Sequence, residues 1–375
     1  MRKVFCLWIA ICIVLTAAPV RALADQTISA YCVITPQSPE TVSSFRADDA
    51  VGVAGLVKLP AILTLCLAVD RGLLSPDTVV TVGHGAAAIG GPSAYLKQGE
   101  QIEAKELLRA AVMISAGDAI WALMENAFGS EDVFVQNINL TLKENDVEHQ
   151  MQHALGTNET MSCRDLAKLG TAALKSETFL KYCSEKYAVL EHSYGRKTEL
   201  ANANKLLTTL TGCIGLLTGS SKTDGYCGVF ACKRKDTVFV CAMVGAQNSK
   251  TRFDVATKLF EDAFAAFSVF ALASVDKPLI EDYPVTGGDT DTVSLYARES
   301  ISLLLKKSDG EPQSEFHLPD ALIAPLDTEF SVGTVSFTDR NGTLLYELAL
   351  YPDRNVSATG FKEIFKRILH VYLNG

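Results

Sequence analysis

Apolar residues recur at helical spacing in five segments between residues 50 and 270. In such a segment the apolar side chains fall on one face, which predicts a helix that buries this face in a core. The predicted helices span Leu59–Val69, Ala104–Ile114, Ala119–Phe128, Cys163–Leu174 and Arg252–Phe264.

Runs rich in β-branched and aromatic residues lie at both ends of this helical region. They predict strands at Ser29–Thr35, Gly225–Lys233 and Thr237–Val244, and the last two form an antiparallel hairpin across a short polar turn. Strands at both ends with helices between them indicate an α/β (α+β) domain built around an antiparallel sheet. We assign residues 25–270 to this domain.

The pattern changes after Phe267, where short β-prone runs alternate with Gly, Pro, Asp and Asn. Asn341-Gly342, between two of these runs, is typical of a two-residue hairpin turn. The sequence therefore predicts a small all-β domain over residues 275–355. Its expected strands are Val293–Ala297, Ser300–Leu305, Glu315–Leu318, Thr334–Thr338 and Thr343–Tyr351.

The last segment, residues 357–375, returns to helical spacing. Phe361 and Phe365 fall on one face, and Lys362 and Lys366 fall on the other. An amphipathic helix with a basic face can lie on an anionic membrane surface, so we expect peripheral membrane contact here. The alternative is a helix packed on its own β-domain.

The first 24 residues have the pattern of a secretory signal peptide. A basic start and an apolar run over Val4–Leu15 precede the cleavage signal Ala22-Leu23-Ala24. An uncleaved anchor helix is the alternative. Removing the three basic residues of this segment changes the formal net charge from −9 to −12. An acidic exported domain is a poor nucleic-acid binder, so no nucleic-acid partner is expected.

Cysteine and histidine are the remaining candidates for covalent or metal chemistry. The sequence contains no C-x-x-C pair, and the spacing of His149 and His153 suits a solvated pair on a helix better than a metal site. Cys213 and Cys227 flank a turn-rich segment and are candidates for a disulfide, with free thiols as the alternative. We expect no metal and no cofactor.

Three short motifs stand out beside these elements. Gly55-Leu56-Val57-Lys58 precedes the first helix, Ser115-Ala116-Gly117 lies between two helices, and Leu217-Thr218-Gly219 precedes the strand near Gly225. A Ser-x-x-Lys, Ser-x-Asn and Lys-Thr-Gly set is the arrangement of penicillin-binding serine enzymes. Here each motif departs from that arrangement at one position.

With these motifs and spacings, the chain resembles the D-alanyl-D-alanine carboxypeptidases of the low-molecular-mass penicillin-binding proteins, the serine peptidases that trim peptidoglycan stems. The resemblance covers nearly the whole chain after residue 24. It is carried by Gly90–Glu100, Glu106–Leu108, Asn202–Leu207, Gly215–Gly219, Gly225–Cys227 and Arg252–Asp254.

The resemblance implies a penicillin-binding-protein/serine β-lactamase-like domain, followed by a β-domain and a terminal amphipathic helix. It also implies export to the outer face of the cytoplasmic membrane, facing the cell wall. By position, Lys58 matches the general base, Ser115 the second serine, and Thr218 and Gly219 the strand motif. The nucleophile, the substrate-binding amide and the carboxylate-attracting lysine are replaced by Gly55, Gly117 and Leu217.

Pro60 and Arg252 bear on the shape of this site. Pro60 disfavours helical geometry at Leu59, so we expect the helix to begin near Val57–Leu59 and Lys58 to point away from a cleft. Arg252 presents a planar fork suited to a terminal carboxylate. The alternative is a solvated arginine at the start of a surface helix.

Together these observations predict a D-Ala-D-Ala carboxypeptidase-like cell-wall protein that is a catalytically inactive pseudoenzyme. Glycine cannot form an acyl-enzyme, so the expected partners are peptidoglycan stem peptides or an envelope protein. The alternative is an active serine-type carboxypeptidase with a non-standard site. Ser93, Ser220 and Ser221 are hydroxyls near the motifs, but no motif orients them.

Overall fold

The computed structural model describes residues 27–156, 159–360 and 373. The predicted signal peptide, residues 1–24, lies outside this described part, as do residues 361–372 and 374–375 of the predicted amphipathic helix. At its expected start the chain is not helical, because Ala358 forms a β-bridge with Gly288. Within the described part, no helix combines the length and the apolarity needed to cross a membrane.

All five predicted helices are present, with ends within three residues of their expected bounds. Shorter or more polar helices that the apolar spacing did not predict accompany them. The helices are α1 (Leu59–Asp70), α2 (His84–Ala87), α3 (Ala104–Ile114), α4 (Gly117–Ala127), α5 (Glu131–Glu144), α6 (Cys163–Ala173), α7 (Glu177–Cys183), α8 (Leu206–Thr209) and α9 (Ser249–Ala266).

Helix α1 is buried on nearly every side, in keeping with its continuous apolar sequence. Pro60 lies in its first turn, where its missing N–H removes no intrahelical bond. A 3-10 turn over Ala54–Lys58 leads into α1, and Asp224 accepts the N–H of Ala54 at 3.1 Å. The prediction that the helix begins near Leu59 is therefore confirmed.

The main sheet of the described residues has five strands in the order β2-β1-β11-β10-β9. Side chains at successive positions of β10 and β11 are buried, so both faces of this sheet are covered. Pairs β3-β6, β4-β5 and β7-β8 form separate two-stranded ribbons. These strands are β1 (Ala30–Thr35), β2 (Ser38–Phe45), β3 (Val51–Gly52), β4 (Val79–Thr81), β5 (Gln101–Glu103), β6 (Thr160–Met161), β7 (Tyr187–Glu191), β8 (Lys197–Ala201), β9 (Cys213–Ser221), β10 (Gly225–Arg234) and β11 (Thr237–Ala246).

The described chain divides into two compact units. The first comprises the residues up to Val33 together with Ser43–Ala231 and Val240–Asp262. The second comprises Ile34–Val42, Cys232–Phe239 and the residues from Ala263 onward. All of the motifs identified in the sequence belong to the first unit.

The second unit contains the predicted small all-β domain. Its larger sheet has the order β16-β18-β19-β14-β13-β17, and β12 pairs with β15. Leu295, Val335 and Leu350 are fully buried at its centre. The strands are β12 (Phe267–Ala273), β13 (Ile280–Thr286), β14 (Thr292–Tyr296), β15 (Ile301–Lys306), β16 (Gln313–His317), β17 (Leu322–Ile323), β18 (Gly333–Thr338) and β19 (Leu344–Pro352).

The hairpin predicted at Asn341-Gly342 joins β18 and β19, but its loop is longer than two residues. The Asp339 N–H donates to the Thr343 carbonyl at 2.9 Å, and Gly342 has a φ of 80°. The Asp339 carboxylate accepts the N–H groups of Asn341 and Thr343, both at 2.8 Å. This side-chain capping stabilises the wider turn, and the dipeptide alone does not reveal it.

The candidate disulfide is not formed. Cys227 carries a buried free thiol, which excludes a bridge to Cys213. Burial raises the pKa of Cys227 to about 11, so its reactive thiolate form is disfavoured at neutral pH. The structure therefore supports the free-thiol alternative at this position.

Helix α6 packs very closely against the sheet at Gly170. A β-carbon at this position would lie 2.7 Å from methyl carbons of both Val229 and Val240. Contacts this short require the two valines or the helix to move. The close packing of α6 therefore depends on the missing side chain.

We expect Gly170→Ala to lower the free energy of unfolding by about 1–3 kcal/mol, because overpacking outweighs the better helix propensity of alanine. Chemical denaturation of the purified protein measures this change. Lys143→Ala, at an exposed position of α5, is the control and should change stability by less than about 0.5 kcal/mol. Equal stabilities of the Gly170 variant and the wild type would contradict the close-packing argument.

Candidate functional site

Gly55 lies in the 3-10 turn at the start of α1, opposite strand β9. A β-carbon built on Gly55 would meet only the Gly219 Cα, at 3.4 Å, which is an ordinary contact. The backbone at Gly55 therefore accommodates a larger side chain. The nucleophile position keeps its place in the fold and lacks only the side chain.

Lys58 ends the same turn and reaches the second motif. Its ammonium group donates to the Ser115 carbonyl at 3.0 Å, and the residue is 9% exposed. The expectation that Pro60 would turn Lys58 away is wrong, because Pro60 fits the first turn of α1 without displacing the preceding residue. Burial lowers the pKa of Lys58, and the nearby Asp118 opposes part of this shift.

Ser115 follows α3 in a left-handed conformation, with a φ of 55°. It is 4% exposed, and its hydroxyl has no hydrogen-bond partner among the described residues. A buried hydroxyl without a partner carries a desolvation cost. The second serine is thus present, and Lys58 binds its carbonyl rather than its hydroxyl.

Gly117 begins α4 beside Lys58, and the space of a side chain there is already occupied. A β-carbon at this position would lie 2.8 Å from the Ile89 Cγ2 and 3.2 Å from the Lys58 Nζ. The first of these distances is shorter than real β-carbon contacts, so Ile89 would have to move. The surroundings of Gly117 are thus packed for glycine.

The third motif lies on a strand of its own. The sequence placed Leu217-Thr218-Gly219 ahead of the strand at Gly225, whereas the structure places it within β9. Leu217 is 2% exposed, and Thr218 and Gly219 are half-buried. A β-carbon on Gly219 would lie 2.7 Å from the Gly55 nitrogen, so β9 approaches the start of α1 backbone to backbone.

Arg252 is buried rather than solvated. It is 4% exposed, and its Nη1 donates to the carbonyls of Gly219 and Cys227, both at 3.1 Å. Its guanidinium also packs over the rings of Phe253 and Tyr226, at 4.5 and 5.6 Å. Burial lowers its pKa. Arg252 therefore links β9 and β10 through the carbonyls of Gly219 and Cys227.

Asp118 is a site residue that sequence reasoning missed. Its buried carboxylate accepts the Ser93 hydroxyl at 2.6 Å and the N–H groups of Ala94 and Leu96 at 2.9 and 3.0 Å. The Gly117 N–H adds a bond to the Pro92 carbonyl at 2.9 Å. Ser93 is thus oriented, contrary to expectation. An acid immediately before a predicted helix was the available signal, but the loop that it binds was not visible in the sequence.

The histidine pair of the sequence does not lie on one helix. His149 and His153 follow α5 in an irregular segment, and the His149 Nε2 is 2.9 Å from a Glu159 carboxylate oxygen. Within the described residues, no group of three or more His, Cys, Asp and Glu side chains is placed to hold a metal ion.

The arrangement brings all three motifs together around Lys58. Gly55 and Gly219 touch, Lys58 binds Ser115, and Gly117 lies next to Lys58. A buried amine beside a strand edge can bind a carboxylate or an extended peptide by charge and backbone hydrogen bonds. Acyl transfer needs a nucleophilic oxygen, which position 55 does not supply.

Comparison with known families agrees with this geometry. Residues 18–248 match the family of D-alanyl-D-alanine carboxypeptidases, peptidase family S11. Residues 267–358 match the C-terminal domain of penicillin-binding protein 5. The two matches cover both parts of the fold described above.

Individual relatives match along most of their length. The D-alanyl-D-alanine carboxypeptidase DacF of Bacillus subtilis is 25% identical over 330 residues, which cover 86% of this chain and 84% of DacF. The carboxypeptidase DacC of Escherichia coli is 26% identical over 367 residues, which cover 92% of this chain and 90% of DacC.

The fold also matches solved structures. Penicillin-binding protein 5 from Haemophilus influenzae superposes with a TM-score of 0.72 at 23% identity, covering 88% of this chain and 98% of that one. Penicillin-binding protein 6B from Escherichia coli superposes with a TM-score of 0.68 at 20% identity, covering 87% and 94%. With the motifs, the fold and the family match in agreement, the chain belongs to the D-alanyl-D-alanine carboxypeptidase family of low-molecular-mass penicillin-binding proteins.

Proposed function

We propose that this protein is a catalytically inactive member of its family that binds peptidoglycan stem peptides at the outer face of the cytoplasmic membrane. The observation that carries the proposal is the contrast between Gly55 and Lys58. The general base position keeps its lysine in contact with Ser115, while the position it would activate has no oxygen.

The packing around the other two motifs supports the proposal. Ile89 fills the space that an amide side chain at Gly117 would need. Leu217 is buried at the position where the family has a cation. These side chains fit their surroundings, which is typical of a protein that is stable without the catalytic groups. Loss of a nucleophile alone usually lowers the rate by several orders of magnitude.

We infer the class of ligand from the parts of the family's site that this chain retains. Strand β9 still runs beside the start of α1, and Arg252 still fixes the carbonyl of Gly219. An extended peptide can bind along such a strand edge through main-chain hydrogen bonds. Lys58 is a cation in the turn that packs against β9, and it can attract the terminal carboxylate in place of the missing lysine at position 217.

One observation favours an active carboxypeptidase as the second candidate. Ser93 is near the second motif, and its hydroxyl donates to the Asp118 carboxylate at 2.6 Å. Asp118 also accepts three backbone N–H groups, including that of Ala119 at 2.9 Å, which suits a structural role better than that of a base.

A labelled β-lactam distinguishes the two candidates. We expect no covalent labelling of the wild type, because an acyl-enzyme needs an oxygen at position 55. The combination Gly55→Ser, Gly117→Asn and Leu217→Lys, with Ile89→Ala to make room, should gain labelling on gel electrophoresis and mass spectrometry. Labelling of the wild type that disappears in Ser93→Ala would establish the active candidate instead.

Peptide binding tests the retained cleft. We expect a stem peptide ending in D-Ala-D-Ala to bind the wild type in isothermal calorimetry. Arg252→Ala should weaken this binding and also lower the free energy of unfolding by about 2–3 kcal/mol, because the carbonyls of Gly219 and Cys227 lose a charged donor. Arg252→Lys should not fully restore either property, since lysine lacks the planar guanidinium that packs over the rings of Phe253 and Tyr226. Unchanged peptide affinity in Arg252→Ala would remove this residue from the site.

The lowered pKa of Lys58 predicts that the free energy of unfolding depends on pH. Because burial lowers its folded-state pKa below the ordinary value of 10.5, the unfolded chain binds this proton more tightly, and stability rises as pH increases towards 10.5. Lys58→Met removes the buried charge and should therefore gain stability relative to the wild type at neutral pH. Urea titrations across pH should show this advantage shrinking as pH rises. Lys175→Met, at an exposed position, is the control, and a gap that stays constant with pH would refute the prediction.

A further inference from the structure

Two tyrosines combine high exposure with a left-handed backbone. Tyr95 is 69% exposed with a φ of 59°, and Tyr194 is 106% exposed with a φ of 61°. A bulky residue at positive φ is strained, and glycine would adopt the same backbone without that cost. Neither ring recovers the cost by burial in the protein. Strain kept at exposed aromatic residues indicates a function for the rings.

The loop that carries Tyr95 is held against the second motif. The Tyr95 N–H donates to the Ser93 hydroxyl at 2.8 Å, and this hydroxyl donates to Asp118 at 2.6 Å. The Asp118 carboxylate also accepts the N–H groups on either side of Tyr95, those of Ala94 and Leu96. The ring of Tyr95 therefore projects from a rigid support adjacent to the cleft.

The turn between β7 and β8, which carries the second tyrosine, is tied to the same loop. The Thr198 hydroxyl donates to the Ala94 carbonyl at 3.2 Å. In the same turn, the His192 Nδ1 and the Arg196 Nη2 lie 3.1 and 2.6 Å from the carboxylate oxygens of the buried Glu100, which is five residues after Tyr95 in the chain. These bonds flank both tyrosines in the sequence and hold together the two segments that carry them.

The neighbours of the rings favour a carbohydrate over a protein as the ligand. Lys97 and Gln98 are exposed and Arg196 is half-buried, so the segments that carry the tyrosines form no continuous apolar patch. A protein interface normally has an apolar centre. A pyranose ring instead presents a small apolar face with polar edges, which a single tyrosine ring beside polar groups complements.

We propose that Tyr95 and Tyr194 form a sugar-stacking site for the N-acetylhexosamine glycan strand that carries the stem peptides. The proposal rests on the proposed function, since it assigns the sugar portion of the same ligand to a separate surface. The peptide is bound at β9 and Lys58, and the glycan is bound at the two tyrosines.

A peptide-free probe tests this site independently of the cleft. Isothermal calorimetry with a linear tetramer of N-acetylglucosamine should detect binding to the full-length wild type. Tyr95→Ala and Tyr194→Ala should each weaken that binding about tenfold, as expected for aromatic contact residues. Tyr187→Ala is the matched control, because Tyr187 is 55% exposed on the same hairpin but lies at its other end, and it should leave the affinity unchanged.

Substituting glycine for each tyrosine separates an effect on saccharide binding from an effect on folding. Tyr95→Gly and Tyr194→Gly remove the ring and relieve the backbone strain, so they should keep or raise the thermal unfolding midpoint while losing saccharide binding. A lower midpoint would assign the tyrosines a structural role and overturn the proposal. So would absent tetramer binding, or equal affinities in the wild type and both alanine variants. A sugar-free stem peptide, titrated in parallel, reports on the cleft alone.

Discussion

The contact between Gly219 and the start of α1 is the constraint on which the candidate site depends. Strand β9 approaches so closely that a β-carbon on Gly219 would lie 2.7 Å from the Gly55 nitrogen and 2.8 Å from the Leu56 nitrogen. Only glycine at position 219 allows this approach. Arg252 fixes the same strand through the Gly219 carbonyl, and Asp224 fixes the turn through the Ala54 N–H. The geometry of the cleft is therefore determined by backbone contacts, which survive changes of the catalytic side chains.

Because the framework depends on backbone contacts, it does not require the side chains that the family has at the three motif positions. No serine at position 55, asparagine at position 117 or lysine at position 217 is among the contacts that hold it. The groups that are kept, such as Asp118 and Arg252, use most of their hydrogen bonds on backbone atoms. Selection for folding preserves the second set regardless of catalysis.

From the spacing that burial imposes, the sequence predicted the apolar helices and eight of the nineteen strands in the described residues. It did not predict α5, whose buried residues Phe134, Ile138 and Leu142 form a single row among polar and β-branched residues. It also misjudged Lys58 and Arg252. Whether proline displaces a lysine, or an arginine is buried, depends on the surrounding tertiary contacts, which one sequence does not show. Asp118 was missed for the same reason, since its partners lie about 22–25 residues earlier in the chain.

The packing of Ile89 against Gly117 has a consequence for substitutions at position 117. With a methyl carbon 2.8 Å from the site of a β-carbon, an asparagine placed at position 117 alone would meet a steric penalty. Such a substitution therefore needs a change at Ile89 as well. The two positions are interdependent, so the effect of a substitution at one depends on which residue occupies the other.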